Sequence, residues 1–280
     1  MRVDRLDYEK VTITIEADKR NNIQDCLRNI SMPKENRIEN FPISFFSVIL
    51  GLAGLTIAFQ KAEHVLNLPV SLSSYLLFFT GFSFLFITTL YLTKVRKYLS
   101  KVKKEFNHPV KVVFFSTFSI SLLLLSIASL DFNVLLSKYL WISGSLLHLA
   151  FAVITMSVWI QHTKFNIEHI NAAWFIPIVG NILVPIAGTA HFPHEISWFF
   201  FSIGLVFWLV FLVIFFYRII FHHPMAERLL PTFFILIAPP AVGFIAYVKL
   251  TGNIDIFSRI LYYFAMYLVI LLIAQAKMFW

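Results

Sequence analysis

The feature that most constrains this chain is a series of long, almost uncharged apolar runs separated by short polar connections. Each run is close to the roughly 20 residues that a helix needs to cross about 30 Å of hydrocarbon. In lipid every peptide group must find its hydrogen bond inside the protein, and a helix satisfies its own. The runs do not alternate with period two and are too long for barrel strands. The sequence therefore predicts an all-α polytopic membrane protein with about eight transmembrane helices, near residues 43–60, 71–93, 110–129, 135–158, 173–190, 195–217, 229–248 and 257–276. Short connections such as 130–134 and 191–194 make neighbouring helices antiparallel hairpins. Composition agrees: 59% of residues are hydrophobic, 14% are charged and the mean hydropathy is +0.77. Soluble domains carry about a quarter charged residues.

The formal charge of +8 is distributed in a way that sets topology. Lys94, Arg96, Lys97, Lys101, Lys103, Lys104 and Lys111 follow the second run, Lys164 the fourth, and Arg218 and Arg228 the sixth. The opposite side has Lys61, Lys138, Lys249 and Arg259 near the membrane. The positive-inside rule places the first group in the cytoplasm, and an even number of spans then places both termini there. No nucleic-acid-binding motif accompanies the basic residues, so no nucleic-acid partner is expected. Residues 1–40 are polar and lack the apolar stretch of a signal peptide. They are expected to form a partly disordered cytoplasmic segment, with a short strand conceivable at Val11–Ile15. Cys26 is the single cysteine, which rules out an intrachain disulfide.

The interior of the runs is informative for what it lacks. No Asp, Glu, Lys or Arg falls near a predicted membrane centre, and His148 is the one ionisable group deep in a span. Proton-coupled pumps need an intramembrane relay of such groups, so passive passage of a solute is favoured. Prolines give the second clue. Pro177 and Pro185 fall inside the fifth span and Pro239-Pro240 inside the seventh, where each is expected to remove a backbone bond and kink the helix. Gly180 and Asn181 adjoin the first kink, and Gly243 follows the last. The third span carries Ser116, Thr117, Ser119 and Ser121, and the first Ser44, Ser47, Gly51 and Gly54. The odd-numbered spans are thus expected to face an inner pathway. Spans two, six and eight, rich in Phe, Leu, Ile, Val and Tyr, are expected to face lipid.

His191-Phe-Pro-His194 lies in a turn, and His222-His223 lies at the opposite membrane face, so the two pairs cannot share a metal. No phosphate loop, nucleophile elbow or zinc-protease motif is present. No metal, cofactor or enzymatic activity is expected. A His-dependent intramembrane enzyme, using His148 or the loop histidines, is the weaker alternative.

Several segments together resemble the tellurite-resistance/dicarboxylate transporter family, which includes slow-type anion channels. Lys97 to Lys111, with Tyr98 and His108-Pro109, is similar to the family's link between helices two and three. Asn40 to Leu55 resembles its first helix, Ala173 to Asn181 its fifth, and Leu236 to Tyr247 its seventh. Gly252 to Asp255 fits the loop that follows. The resemblance implies five helical hairpins around a pseudo-fivefold axis, a pore lined by odd helices, a homo-oligomer (a trimer among bacterial relatives) and a bacterial inner-membrane location. It implies passive movement of small inorganic or organic-acid anions, with Lys94, Arg96, Lys97, Lys101, Lys103 and Lys104 forming a basic cytoplasmic vestibule. The chain ends at Phe279-Trp280, where the family continues into a ninth and tenth helix. The family's gating phenylalanine lies on that ninth helix and has no counterpart residue here. A truncated, non-conducting remnant is accordingly the other expectation.

Overall fold

The computed structural model describes residues 37–69, 71–161 and 165–279. The possible strand at Val11–Ile15 and the lone Cys26 lie outside them. The chain divides into a unit of residues Met1–Asn40 and a unit of residues Phe41–Trp280, and the description below concerns the second. Its described residues contain no strand. Eight helical stretches are long and apolar enough to span a membrane: Ile43–Leu66, Leu72–Lys97, Val112–Ser129, Val134–Gln161, Ala172–His191, His194–Phe221, Leu229–Thr251 and Ile256–Ala274. The fold is the polytopic helical one that the hydrophobic runs imply, with most spans a few residues longer than expected.

Sequential spans pair as hairpins, and local chemistry sets the turns. The first span ends at Asn67, whose φ of 48° is the left-handed conformation of a helix C-cap. Gly252 closes the seventh span the same way, at φ 72°, donating its N–H to Val248 O at 2.8 Å. Asp255 then caps the eighth span by accepting from Ser258 N at 2.9 Å. The Ser258 N–H, followed by the Tyr247 hydroxyl, holds its carboxyl below the ordinary carboxylate range.

The third and fifth spans form the interior. They are 72% and 78% buried over their apolar stretches, against 22–33% for the other six. The third packs on the first, second, fourth and fifth, and the fifth on the third, fourth, sixth and seventh. The odd–even expectation therefore divides. Spans three and five are enclosed, whereas spans one and seven are as exposed as the even-numbered ones.

All four odd spans begin with a tight 3₁₀ stretch: Ile43–Phe45, Val112–Phe115, Ala172–Phe175 and Glu227–Ile237. The even spans are α-helical from their first residue. Prolines inside the fifth and seventh spans fall at such changes of helix type. Pro177, Pro185 and Pro239-Pro240 occupy the first turn of α-helical segments starting at Ile176, Val184 and Ala238. A missing N–H is least harmful there.

Glycines set how closely the spans approach. A Cβ on Gly204, in the sixth span, would lie 2.5 Å from Ile182 Cγ1 and 2.9 Å from Ile182 N on the fifth. Neither backbone nor a β-branched side chain can yield cheaply. Gly54 on the first span has nothing within 4 Å of that position. Gly204→Ala should therefore lower stability by about 1–3 kcal/mol, while Gly54→Ala leaves it unchanged or raises it by helix propensity. Thermal unfolding of the two variants in detergent checks this.

Candidate functional site

A fully buried polar cluster joins the third, fourth and fifth spans. Ser116 and Ser119 are 0% exposed, as is His148. Ser119 Oγ donates to Ser116 O at 2.9 Å and lies 2.9 Å from His148 Nδ1. His148 Nε2 has no hydrogen-bond partner among the described residues. It abuts Gly180, where an added Cβ would stand 2.6 Å from it. Asn181 donates through Nδ2 to Ile178 O at 2.7 Å, and its Oδ1 is unpartnered, as is Ser116 Oγ. Pro177 and Pro185 are buried on the same span.

The other nominated residues are placed elsewhere. Gly51 and Gly54 are exposed on the first span. Pro239, Pro240 and Gly243 are buried in the seventh, where a Cβ on Gly243 would meet Leu261 at 3.6 Å and Ile182 at 3.9 Å. Ser119 and Gly180 thus meet His148, Ser116 joins through Ser119, and Asn181 follows Gly180 in the chain. The sequence marked His148 but not its partners, because the contact depends on helix rotation.

At the opposite end of these spans, Ser137 Oγ and His191 Nε2 lie 2.9 Å apart, and Ser137 Oγ also donates to Ser126 O at 2.8 Å. His191 therefore ties the fifth span to the fourth. His194 starts the sixth span and His222 follows its far end, so the two histidine pairs are separated by a whole span. Among the described residues no group of three His, Cys, Asp or Glu side chains is gathered to hold a metal.

The basic loop separates into two parts. Arg96, Lys97, Lys101, Lys103 and Lys104 are exposed. Lys94 is not, and this corrects its assignment to the vestibule. Its side chain is 3% exposed, with Nζ 2.7 Å from Glu105 Oε2 and 2.8 Å from Phe41 O. Glu105 sits on the buried face of the short helix Leu99–Phe106 and also accepts from Ile43 N and the Tyr91 hydroxyl, each at 3.3 Å. The ion pair locks the start of the first span to the loop after the second. One signal in the sequence was available: Glu105 is the single acid between Lys94 and Lys111. Next to this loop, burial, then Lys111 and then His169, lowers the pKa of His108.

Among the described residues, eight membrane-length helices in sequential hairpins define a polytopic helical membrane protein. The chain matches the voltage-dependent anion channel (SLAC1) family over residues 40–280 and belongs to that family. It is similar to an uncharacterized transporter of Methanocaldococcus jannaschii, 28% identical over 78% of this chain and 68% of the relative. It is also similar to the S-type anion channel SLAH3 of Arabidopsis thaliana, 27% identical over 85% of this chain and 39% of the relative. A tellurite resistance protein TehA homolog of Haemophilus influenzae is 24% identical over 79% of this chain and 68% of the relative. The chain thus spans between 39% and 68% of these relatives' lengths. The family is one of channels and transporters, not enzymes.

Two predictions test the site's architecture. Gly180→Ala should destabilise by about 1–3 kcal/mol because it drives a Cβ into His148. His148→Ala in the same chain should recover part of that loss, giving a coupling of about 0.5–3 kcal/mol in a double-mutant cycle read by thermal unfolding. Lys94→Ala should cost about 3–5 kcal/mol by leaving Glu105 buried without its counter-ion. Lys94→Met with Glu105→Leu should restore most of the stability, measured the same way.

Proposed function

We propose that the chain forms a passive pathway for small inorganic or organic-acid anions, lined by its odd-numbered spans. The observation that carries the reading is the placement of charge. The third and fifth spans, which form the interior, contain no Asp, Glu, Lys or Arg and offer only Ser, Thr and Asn along their buried lengths. A pathway must hold an anion weakly enough to release it, and uncharged dipoles do so better than a fixed ammonium or guanidinium. Gly51 and Gly54, with open space beside them, give the first span a smooth face on that pathway. Ser116, Ser119, Asn181 and the proline-bearing segments support it from behind. The exposed Arg96, Lys97, Lys101, Lys103 and Lys104 raise the local anion concentration at the cytoplasmic mouth. Both termini are cytoplasmic in this reading, residues 1–40 form a separate cytoplasmic segment, and the protein works in a plasma membrane (the inner membrane of a bacterium) as a homo-oligomer. Trimerisation and dicarboxylates as substrates enter from the family resemblance.

The test is anion flux through purified protein in liposomes under a clamped potential. Chloride, nitrate and malate should each move down their gradients without a proton gradient. Neutralising Lys97, Lys101, Lys103 and Lys104 to Gln should slow the flux roughly tenfold at low ionic strength, with the difference shrinking as salt screens the charges. Absence of any anion-dependent current would sink the proposal.

A further inference from the structure

Two cations of the described membrane unit are almost fully buried, and they are treated differently. Lys94, 3% exposed, has Glu105 as its counter-ion. Arg218, 4% exposed, has no carboxylate within 4.0 Å among the described residues. Both lie at the C-terminal ends of even-numbered spans, and therefore at the same membrane face. A buried charge without a partner is costly, so proteins pair it, bind a ligand with it or avoid it.

Arg218 continues the inward-facing stripe of the sixth span, after Gly204, Trp208, Phe211 and Phe215. Phe215, one turn earlier, packs on Phe175 of the fifth span and Phe233 at the start of the seventh. The guanidinium is thus turned toward the protein interior and not toward lipid headgroups in general. One of its nitrogens, Nη1, donates to His223 O at 2.7 Å. Nε is buried and has no partner, and neither has Nε2 of His222, the extended residue that ends the helix and packs its ring on Tyr217. Two polar nitrogens at the end of the sixth span, one of them on a guanidinium, are thus without partners, and no carboxylate among the described residues pairs with the guanidinium.

The geometry points to Arg218 and His222 as a binding site for a phosphate-type oxyanion at the end of the sixth span. The Nε edge of a guanidinium presents parallel N–H groups that match two oxygens of such an anion, and a neighbouring imidazole supplies a third contact. The competing explanation is that Arg218 only caps the helix, since a cation in the last turn favours the macrodipole. A cap accounts for the His223 contact. It leaves Nε and His222 Nε2 without a function. The inference does not rest on the conduction pathway, because binding can be measured without flux.

The full chain, purified in dodecyl maltoside so that no phosphate headgroup is present, is titrated with inorganic phosphate at constant ionic strength while Tm is followed. A parallel series adds phosphatidylglycerol to the micelles instead. The variants are Arg218→Gln, Arg218→Lys, His222→Gln and, as an exposed control, Arg96→Gln. A saturable rise of about 5 °C is expected at saturation for the native chain and for Arg96→Gln. It should be absent in Arg218→Gln, most of it should be lost in Arg218→Lys, which folds with the charge retained but without the fork, and it should be reduced in His222→Gln. A rise with inorganic phosphate assigns a soluble oxyanion, and a rise confined to the lipid series assigns a headgroup. A capping arginine would lower the starting Tm of Arg218→Gln yet leave the ligand-induced rise intact. That result, or no rise in the native chain with either ligand, overturns the site.

Discussion

A peptide carbonyl buried in a bilayer has no water to turn to. The fifth and seventh spans carry prolines, each of which deprives the carbonyl four residues earlier of its donor. The structure meets this requirement three times in one way. Ala173 O, Asn181 O and Ile235 O stand four residues before Pro177, Pro185 and Pro239. They accept instead from Ile176 N, Val184 N and Ala238 N, the residues just before each proline. Each is an i→i−3 bond, so the chain tightens into a 3₁₀ stretch and then relaxes into an α-helix. The proline that would break a continuous helix becomes the start of a new one. These three freed carbonyls are therefore taken up inside the helix.

This solution makes the fifth span irregular, and the irregularity sets how its neighbours can pack. Its two proline-led segments meet at Gly180–Leu183, against which His148 packs from the fourth span and Gly204 from the sixth. Further along, Trp141 Nε1 donates to Val184 O at 2.8 Å, and Gly188 passes under Trp141 and Ser197. Close approach is bought by glycine on one side and filled by a large side chain on the other. The fifth span is consequently held by specific contacts along its whole length, whereas spans one and seven have one side free.

The membrane class, the number of spans and their hairpin pairing were legible because a run of apolar residues is a direct record of the solvent it faces. Helix ends were less legible: the first span was expected to stop at residue 60, yet it continues to Leu66, where Asn67 in the left-handed conformation ends it. The prolines were legible as special, but nothing local in Pro239-Pro240 announces a 3₁₀-to-α junction. That junction depends on whether the preceding residue's N–H can reach the orphaned carbonyl. Gly180 was legible as small but not as the position facing an imidazole. Lys94 was misread because seven bases near one acid look like a solvated face. Only rotation of the helix Leu99–Phe106 reveals that Glu105 points inward and takes one of them out of solution.

The placement of charge then divides the labour of the molecule. A buried cation that acquires a carboxylate, as Lys94 does, is neutralised and becomes a strut: it fixes Phe41 and Ile43 and has little field left for a passing anion. The exposed bases of the same loop keep their field but are screened by salt and act at a distance. Between these extremes the interior of spans three and five offers hydroxyls and an amide. Their dipoles can orient toward an anion without binding it as strongly as an unpaired charge would. A chain that placed Lys94 or Arg218 half-way along either span would face the choice between a costly unpaired charge and an anion trap. Their confinement to helix ends spares the interior an unpaired charge in lipid.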